Sequence, residues 1–233
     1  ALEIRRALAD RSGQAITLHN IGENYFSLGE LDLALQYFDE SLSLKRAVGN
    51  PREESYTLDS IGGVYFNKGE LQKALDYHNQ SLVLRRKVSD QYGEAYALTN
   101  IGAVYDQLGE LQKALDYFEQ ALKIRQTVGD RYGEATSLQK IGTIYSKLRK
   151  ADLALEYYNQ ALELSRTLRY QTRETETLLS IARHDRERGN IVEAARQVEA
   201  ALSIIESTRT KVSRQALRSS YIASKQALYE FYV

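Results

Sequence analysis

Apolar residues recur along the chain at helical spacing. Leu18, Ile21, Gly22, Tyr25 and Leu28 fall on one face of a helix. A Leu28-Gly29-Glu30 break follows, with Gly29 suited to a left-handed C-terminal cap. Leu31, Ala34, Leu35, Phe38, Leu42 and Val48 then form the stripe of a second helix, which stops near Gly49. Asn50-Pro51-Arg52-Glu53 opens the next helix as a capping box with proline at the first helical position. Asp90 and Asp130 hold the same cap position further on. The pattern predicts helices of about 18 residues, each about 27 Å long.

The pattern repeats without a gap. Ile21-Gly22, Ile61-Gly62, Ile101-Gly102 and Ile141-Gly142 stand 40 residues apart. Tyr25, Tyr65, Tyr105 and Tyr145 keep the same interval, as do Ala34, Ala74, Ala114 and Ala154, and Leu42, Leu82, Leu122 and Leu162. A weaker fifth copy reads Ile181-Ala182, Gly189, Ala194 and Ala201-Leu202. Five copies in one register predict a repeat architecture in which each helix pair buries its apolar face against the next. The expected organisation is a remnant second helix at 1–12, five tandem repeats over 13–209 (13–50, 51–90, 91–130, 131–170 and 171–209), and a capping or linking helix at 210–233. Ala1-Leu2-Glu3-Ile4-Arg5 aligns with Ala121-Leu122-Lys123-Ile124-Arg125, so the chain is expected to begin inside the second helix of a repeat. It has no Met at all, and it is expected to be a piece of a longer protein.

Leu98, Ile101-Gly102, Tyr105, Gly109, Ala114, Phe118 and Ala121 match, in order and spacing, the pattern of the tetratricopeptide repeat family, which the chain resembles over about residues 13–209. The resemblance implies an all-α, right-handed superhelix, an α-solenoid of helix-turn-helix repeats with flanking helices. Two departures stand out. The period is longer than the commonest form, and Arg46, Arg86, Arg125-Gln126 and Arg166 stand where that pattern closes with proline. The long form is similar to the arrays of kinesin light chains and spindle-orientation adaptors. The tail, including Ile204-Ile205-Glu206, Leu217-Arg218-Ser219-Ser220-Tyr221 and Tyr229-Glu230-Phe231-Tyr232, resembles the segment joining such arrays to a caspase-like CHAT protease domain in bacterial proteins. That likeness implies a sensor or regulatory arm.

Two faces of the first helix of each repeat behave differently. The face of Leu18, Ile21, Gly22 and Tyr25 barely changes between copies, which reads as packing. Its glycines are expected to allow a close helix crossing. The opposite face varies, and in tetratricopeptide arrays it lines the concave groove. It reads Ile16, His19, Asn20, Glu23, Phe26 and Ser27 in the first copy, and Tyr56, Asp59, Ser60, Gly63, Phe66 and Asn67 in the second. The third gives Tyr96, Thr99, Asn100, Ala103, Asp106 and Gln107, and the fourth Thr136, Gln139, Lys140, Thr143, Ser146 and Lys147. Phe26, Tyr56, Phe66 and Tyr96 would make one end of a peptide groove aromatic. Lys140, Lys147, Arg183 and Arg186 would make the other end basic. The alternative is drift on a solvated face, with the aromatics packing against neighbouring helices. His19 and Glu23 stand where the family's clamp for chaperone tails needs Lys and Asn, so a chaperone-tail receptor is not expected.

Composition removes other function classes. The 31 basic and 31 acidic residues cancel, so the balance makes no electrostatic case for nucleic acid or an anionic membrane. The charge is uneven: residues 165–233 carry a net +4 and residues 1–164 a net −4. With no Cys there is no thiol nucleophile and no thiolate zinc site; a reducing compartment fits, and a cytoplasmic location is expected. The three histidines are scattered. His78 replaces Phe38 and Phe118 at a packing position and reads as a core-edge aromatic, while His184 sits in a charged run that reads as a solvated face. No phosphate-binding loop, metal pair or catalytic constellation appears, so neither an enzyme nor a cofactor is expected. The expected partner is a protein or peptide, not nucleic acid or a membrane. Association of copies through the solenoid ends is a second possibility, since Leu2, Ile4 and Leu8 would be uncovered.

Overall fold

The computed structural model describes residues 2–211. Every regular element among them is an α-helix. The chain divides into two compact units, Ala1–Gly129 and Asp130–Val233. The first unit contains α1 (Leu2–Ala7), α2 (Arg11–Ser27), α3 (Leu31–Val48), α4 (Pro51–Asn67), α5 (Leu71–Lys87), α6 (Gln91–Gln107) and α7 (Leu111–Val128). The second contains α8 (Arg131–Lys147), α9 (Ala151–Thr167), α10 (Gln171–Glu187) and α11 (Ile191–Lys211). Helices pack as consecutive antiparallel-sequence neighbours, α2 with α3, α4 with α5, α6 with α7, α8 with α9 and α10 with α11. The first helices of the pairs begin at Arg11, Pro51, Gln91, Arg131 and Gln171, the same interval that separates the sequence repeats. From residue 212 on, the expected terminal helix and the CHAT-like segment lie outside the described residues.

Local chemistry sets the helix ends. The side chains of Asp10, Asn50, Asp90 and Asp130 accept from the backbone N–H of Gly13, Glu53, Gly93 and Gly133 at 2.8, 3.2, 3.1 and 2.9 Å, satisfying an orphan donor of the first turn. The turn inside each pair uses a left-handed residue, Gly29, Gly69, Gly109 and Gly189 in four pairs. In the α8–α9 turn that place is taken by Arg149, with φ of 58°. Three of the arginines that stand in place of the closing proline bridge a second helix to the next first helix. Arg46, Arg86 and Arg166 donate from Nε to Glu54, Glu94 and Glu174 at 2.8, 2.8 and 2.9 Å.

The conserved-looking glycines of the repeat each lie under a ring. A Cβ on Gly22 would come within 2.6 Å of Phe38, and one on Gly102 within 2.7 Å of Phe118. On Gly62 it would meet His78 at 2.6 Å, and on Gly142 Tyr158 at 2.7 Å. The close crossing therefore brings an aromatic ring of the second helix flat onto the backbone of the first. Around these contacts the cores run from one pair into the next within each unit. In the first unit Ala34, Phe38 and Leu42 pack with Leu58, Ile61 and Val64, and Ala74, Leu75 and Leu82 pack with Leu98, Ile101 and Val104. In the second, Ala154, Tyr158 and Leu162 pack with Leu178, Ile181 and Ala201. Each such large aliphatic side chain contributes about 1.5–3 kcal/mol by leaving water.

The repeat tyrosines stack in pairs, Tyr25 on Tyr37, Tyr65 on Tyr77, Tyr105 on Tyr117 and Tyr145 on Tyr157, with ring centroids 5.3, 5.4, 5.4 and 5.4 Å apart. Two positions of the apolar stripes do not pack as their spacing predicts. Leu28 is 75% exposed because it forms the C-cap of α2, and Val48 is exposed in the last turn of α3.

Candidate interaction surface

In the first unit α2, α4 and α6 are neighbours, α4 touching both. Ile16, Tyr56 and Tyr96 occupy equivalent places on the three helices and are 41%, 45% and 53% exposed. Large apolar side chains left open in successive repeats form a row, unlike isolated surface hydrophobics.

Beneath that row the second helices place buried cations. Lys45 lies under the first pair and donates to Glu53 at 3.2 Å; burial pulls its pKa down in spite of that partner. Arg85, only 1% exposed, lies under the rings of Tyr56 and Tyr96, its guanidinium carbon 4.7 and 5.8 Å from their centroids. Its Nη2 donates to Asp59 Oδ2 at 2.6 Å, its Nε to Ser81 at 3.0 Å, and its Nη1 reaches Asp90 at 3.5 Å. Ser81 donates to the same Asp59 oxygen at 2.8 Å, and His78 Nδ1 meets the other at 3.1 Å. Asp90 is also approached by Arg52 at 3.4 Å. Burial pushes the Asp90 carboxyl up, but the Gly93 amide and the two arginines outweigh it and hold the group below its ordinary value.

This network relocates Asp59. Named from the sequence as a groove residue, it is buried and fully engaged with Arg85, Ser81 and His78. His78 does fill the core position that the sequence assigns it, over Gly62, and it also serves Asp59. Arg85 was missed. Its signal is the column Lys45, Arg85, Arg125 and Ser165, where polar residues interrupt an otherwise apolar stripe.

Two of the four expected aromatics seal seams. Phe26 packs against the cluster of Leu58 and Ile61, and its ring tip would lie 3.9 Å from a Cβ on Gly63. Phe66 packs against the cluster of Leu98 and Ile101. Tyr56 and Tyr96 remain half open. Around them the wall is polar. Glu23, its side chain 43% exposed, accepts from Ser60 at 2.5 Å and lies 3.7 Å from His19 Nε2. His19 is held by Thr57 at 3.2 Å; burial first, then Lys45, lowers its pKa, with Glu23 and Glu53 acting the other way. The Tyr96 hydroxyl has its pKa raised mainly by burial and further by Asp59 and Glu23, with Asn100 acting the other way. Thr99 turns back to the Ala95 carbonyl at 2.8 Å. Asn20, Asn67 and Gln107 are exposed, and Asp106 is half-buried.

The four basic residues belong to the second unit. Arg183, Arg186 and Lys147 are exposed and Lys140 is half-buried. Gln139 donates to Ser180 at 2.9 Å and ties α8 to α10. His184 corrects its reading as a solvated residue. It is buried, 3.5 Å from Ser146 and edge-on to Tyr158. No described residues form a group of three or more His, Asp or Glu side chains able to hold a metal, and no described helix is long and apolar enough to cross a membrane.

A family model described as Tetratricopeptide repeat matches residues 53–127 and 111–167, and a second of the same description matches residues 15–52. No curated protein sequence matches the chain. Among solved structures, BtubC (BKLC) from P. vanneervenii is similar with a TM-score of 0.76 and 16% identity, over 90% of this chain and 88% of that one. A Rap protein complexed with Competence and Sporulation Factor gives 0.72 and 16%, over 81% of this chain and 53% of that one. A signal transduction ATPase with a tetratricopeptide repeat sensor from Pyrococcus horikoshii gives 0.72 and 20%, over 85% of this chain and 31% of that one. At these identities the likeness is one of fold.

Proposed function

The chain belongs to the tetratricopeptide repeat family, and on that premise we propose that it is a protein-interaction module that holds a peptide or protein segment against the wall built by α2, α4 and α6. The observation that carries this is the open row of Ile16, Tyr56 and Tyr96. Rigid aromatic area with polar neighbours is what a binding surface needs at its centre, since such side chains lose little conformational freedom on contact. Asn20, Asn100 and Asn67 supply donors and acceptors for a bound main chain. Lys140, Lys147, Arg183 and Arg186 offer the second unit a separate, basic contact surface.

Selecting peptides on the full chain from a displayed random library tests this reading. Tyr96→Ala and Ile16→Ala should each weaken a selected peptide about tenfold or more. Unchanged affinity in both variants refutes the placement.

The finer reading is a long-repeat array acting as the sensor or regulatory arm of a larger bacterial protein of the tetratricopeptide–CHAT type. Its support is the wording of the tail sequence and the ATPase relative, whose repeats are described as its sensor. Ligand bound to the wall would bias the attached domain only by differential affinity for its two states. The reading frame downstream of Val233 decides the matter: an α/β domain with a His and Cys pair supports it, and any other domain removes it.

A second reading, a structural module whose ends stack, is favoured by the exposed Ile4 and Leu8 of the first unit. A mass in solution that rises with concentration, and falls back in Ile4→Ser/Leu8→Ser, would support it over the receptor.

A further inference from the structure

We infer that the wall of the first unit selects a cationic segment, with a Lys or Arg side chain seated against the Glu23 carboxylate and the exposed ring of Tyr96. This rests on the wall being a receptor, and it names the chemistry of what is received.

Charge is the first argument. No Lys or Arg occupies any varying position of α2, α4 or α6 from Ile16 to Gln107, and Arg52, one turn before Tyr56 on α4, is paired with Asp90 at 3.4 Å. The carboxylates there are Glu23, Asp59 and Asp106. Asp59 is consumed by Arg85 inside the wall. Glu23 is not consumed. Among the described residues its partners are the Ser60 hydroxyl and the His19 ring, and no Lys or Arg comes within ion-pair distance. His19 stands 3.7 Å away, half-buried and held by Thr57, and burial, ahead of Lys45, lowers its pKa against the pull of Glu23 and Glu53, which disfavours the charged ring. Glu23 therefore presents a negative charge, half open to solvent and fixed in direction by the short bond from Ser60.

The rings are the second argument. Glu23 is bonded to Ser60, which lies one helical turn after Tyr56 on α4, and Tyr56 and Tyr96 cover the same guanidinium, so the carboxylate and the two rings line one stretch of the wall across α2, α4 and α6. The molecule already uses the inner side of Tyr56 and Tyr96 to hold a guanidinium, that of Arg85. Asp59 and Asp90 neutralise that guanidinium, so it leaves no positive field to repel a second cation. The area of Tyr96 that stays exposed offers the same attraction outward. An incoming acidic side chain would meet the Glu23 carboxylate, and exclusion of the wrong charge is itself specificity.

The experiment uses the full chain and three capped decapeptides of one Ala/Ser/Leu background, carrying three Arg, three Gln or three Glu. Affinity is read by fluorescence anisotropy at low and moderate salt, and position by amide shifts in two-dimensional NMR. The Arg peptide should bind about tenfold more tightly than the Gln peptide at low salt, and lose that margin as salt rises. Its shifts should centre on residues around Glu23, Ser60 and Tyr96. Glu23→Gln, which keeps an acceptor for Ser60, should remove most of the margin, while Glu40→Gln on the exposed side of α3 leaves it unchanged. Equal affinity for Arg and Gln peptides, a margin unaffected by Glu23→Gln, or shifts centred elsewhere each overturn the inference. If Gln or Glu peptides bind the same wall in a Tyr96-dependent way, the receptor stands and its preference for a cation falls. If no peptide of any charge shifts the wall, both fall.

Discussion

The Arg85 guanidinium donates to the Asp59 carboxylate at 2.6 Å, with both side chains buried where α4 meets α5. Ser81 and His78 complete the shell of the carboxylate, and Tyr56 and Tyr96 cover the guanidinium. The equivalent seam in the first pair is closed by Phe38, so one repeat in the unit exchanges an apolar crossing for a polar one. Because Tyr56 and Tyr96 rest on Arg85, the pair also fixes the rings that the wall exposes.

A buried ion pair is tolerated because its shell repays desolvation, and the penalty appears when one member is removed. Arg85→Leu strands Asp59 and is expected to destabilise the first unit by about 3–5 kcal/mol. Asp59→Asn in the same background should recover part of that loss, since it removes the stranded charge. Urea unfolding followed by circular dichroism reads both. A loss below about 1 kcal/mol for Arg85→Leu would place it with exposed pairs, whose contribution is of that order.

Gly62 and Gly63 adjoin in α4 and should respond differently to the same change. A Cβ on Gly62 would lie 2.6 Å from the His78 ring, which is itself buried and held by Asp59, whereas one on Gly63 meets only the Phe26 ring tip at 3.9 Å. Gly63→Ala gains helix propensity of about 0.8–1 kcal/mol with no clash. Gly62→Ala gains the same propensity but overpacks the crossing by about 1–3 kcal/mol, and Gly62→Val is expected to be worse. Thermal melts of the three variants check the order: Gly63→Ala above the parent, Gly62→Ala at or below it, Gly62→Val lowest.

The repeat made the fold legible before any coordinates. Ala34, Phe38, Leu42, Ile61 and their equivalents announce buried faces because the same residue type returns at the same interval. The site was legible only in part, since the varying positions differ in what lies behind them. Tyr56 and Phe66 look alike as exposed aromatics on one wheel. Phe66 closes a seam against Leu98 and Ile101, while Tyr56 stands over Arg85. Nor could helical spacing show Asp59 as buried. Its partners lie 19, 22 and 26 positions away on another helix, and their chemistry occurs together in one copy alone. His184 was obscured differently, by a run of charged neighbours that turn outward while its own ring packs on Tyr158.

His19 links stability to pH. Its folded-state pKa lies below the ordinary 6.5, first through burial and then through Lys45, with Glu23 and Glu53 acting the other way. Between the lowered value and 6.5 the unfolded chain binds the extra proton, so stability rises with pH across that window. The contribution is complete above about pH 6.5 and is lost as pH falls through the folded value. Unfolding midpoints at about pH 7.5 and pH 5 should therefore differ less in His19→Gln than in the parent. An identical difference in the two proteins would show that His19 does not titrate in that window.

Arg149 takes the left-handed place that glycine holds in the turns at Gly29, Gly69, Gly109 and Gly189, with φ of 58°. For a residue with a Cβ that conformation costs about 1–2 kcal/mol. Glycine removes the strain but gives the unfolded chain more freedom, which returns roughly half to one kcal/mol. The turn itself is kept, because its hydrogen bond runs from the Arg149 backbone N–H to the Ser146 carbonyl at 2.9 Å and needs no side chain. Arg149→Gly should thus stabilise the second unit by about 0.5–1 kcal/mol, a rise of roughly 1–4 °C in melting temperature. The reverse change at the equivalent turn of the first unit, Gly69→Arg, should lower the melt by a similar amount. A fall in Arg149→Gly would mean that the arginine side chain stabilises the turn by more than its backbone strain costs.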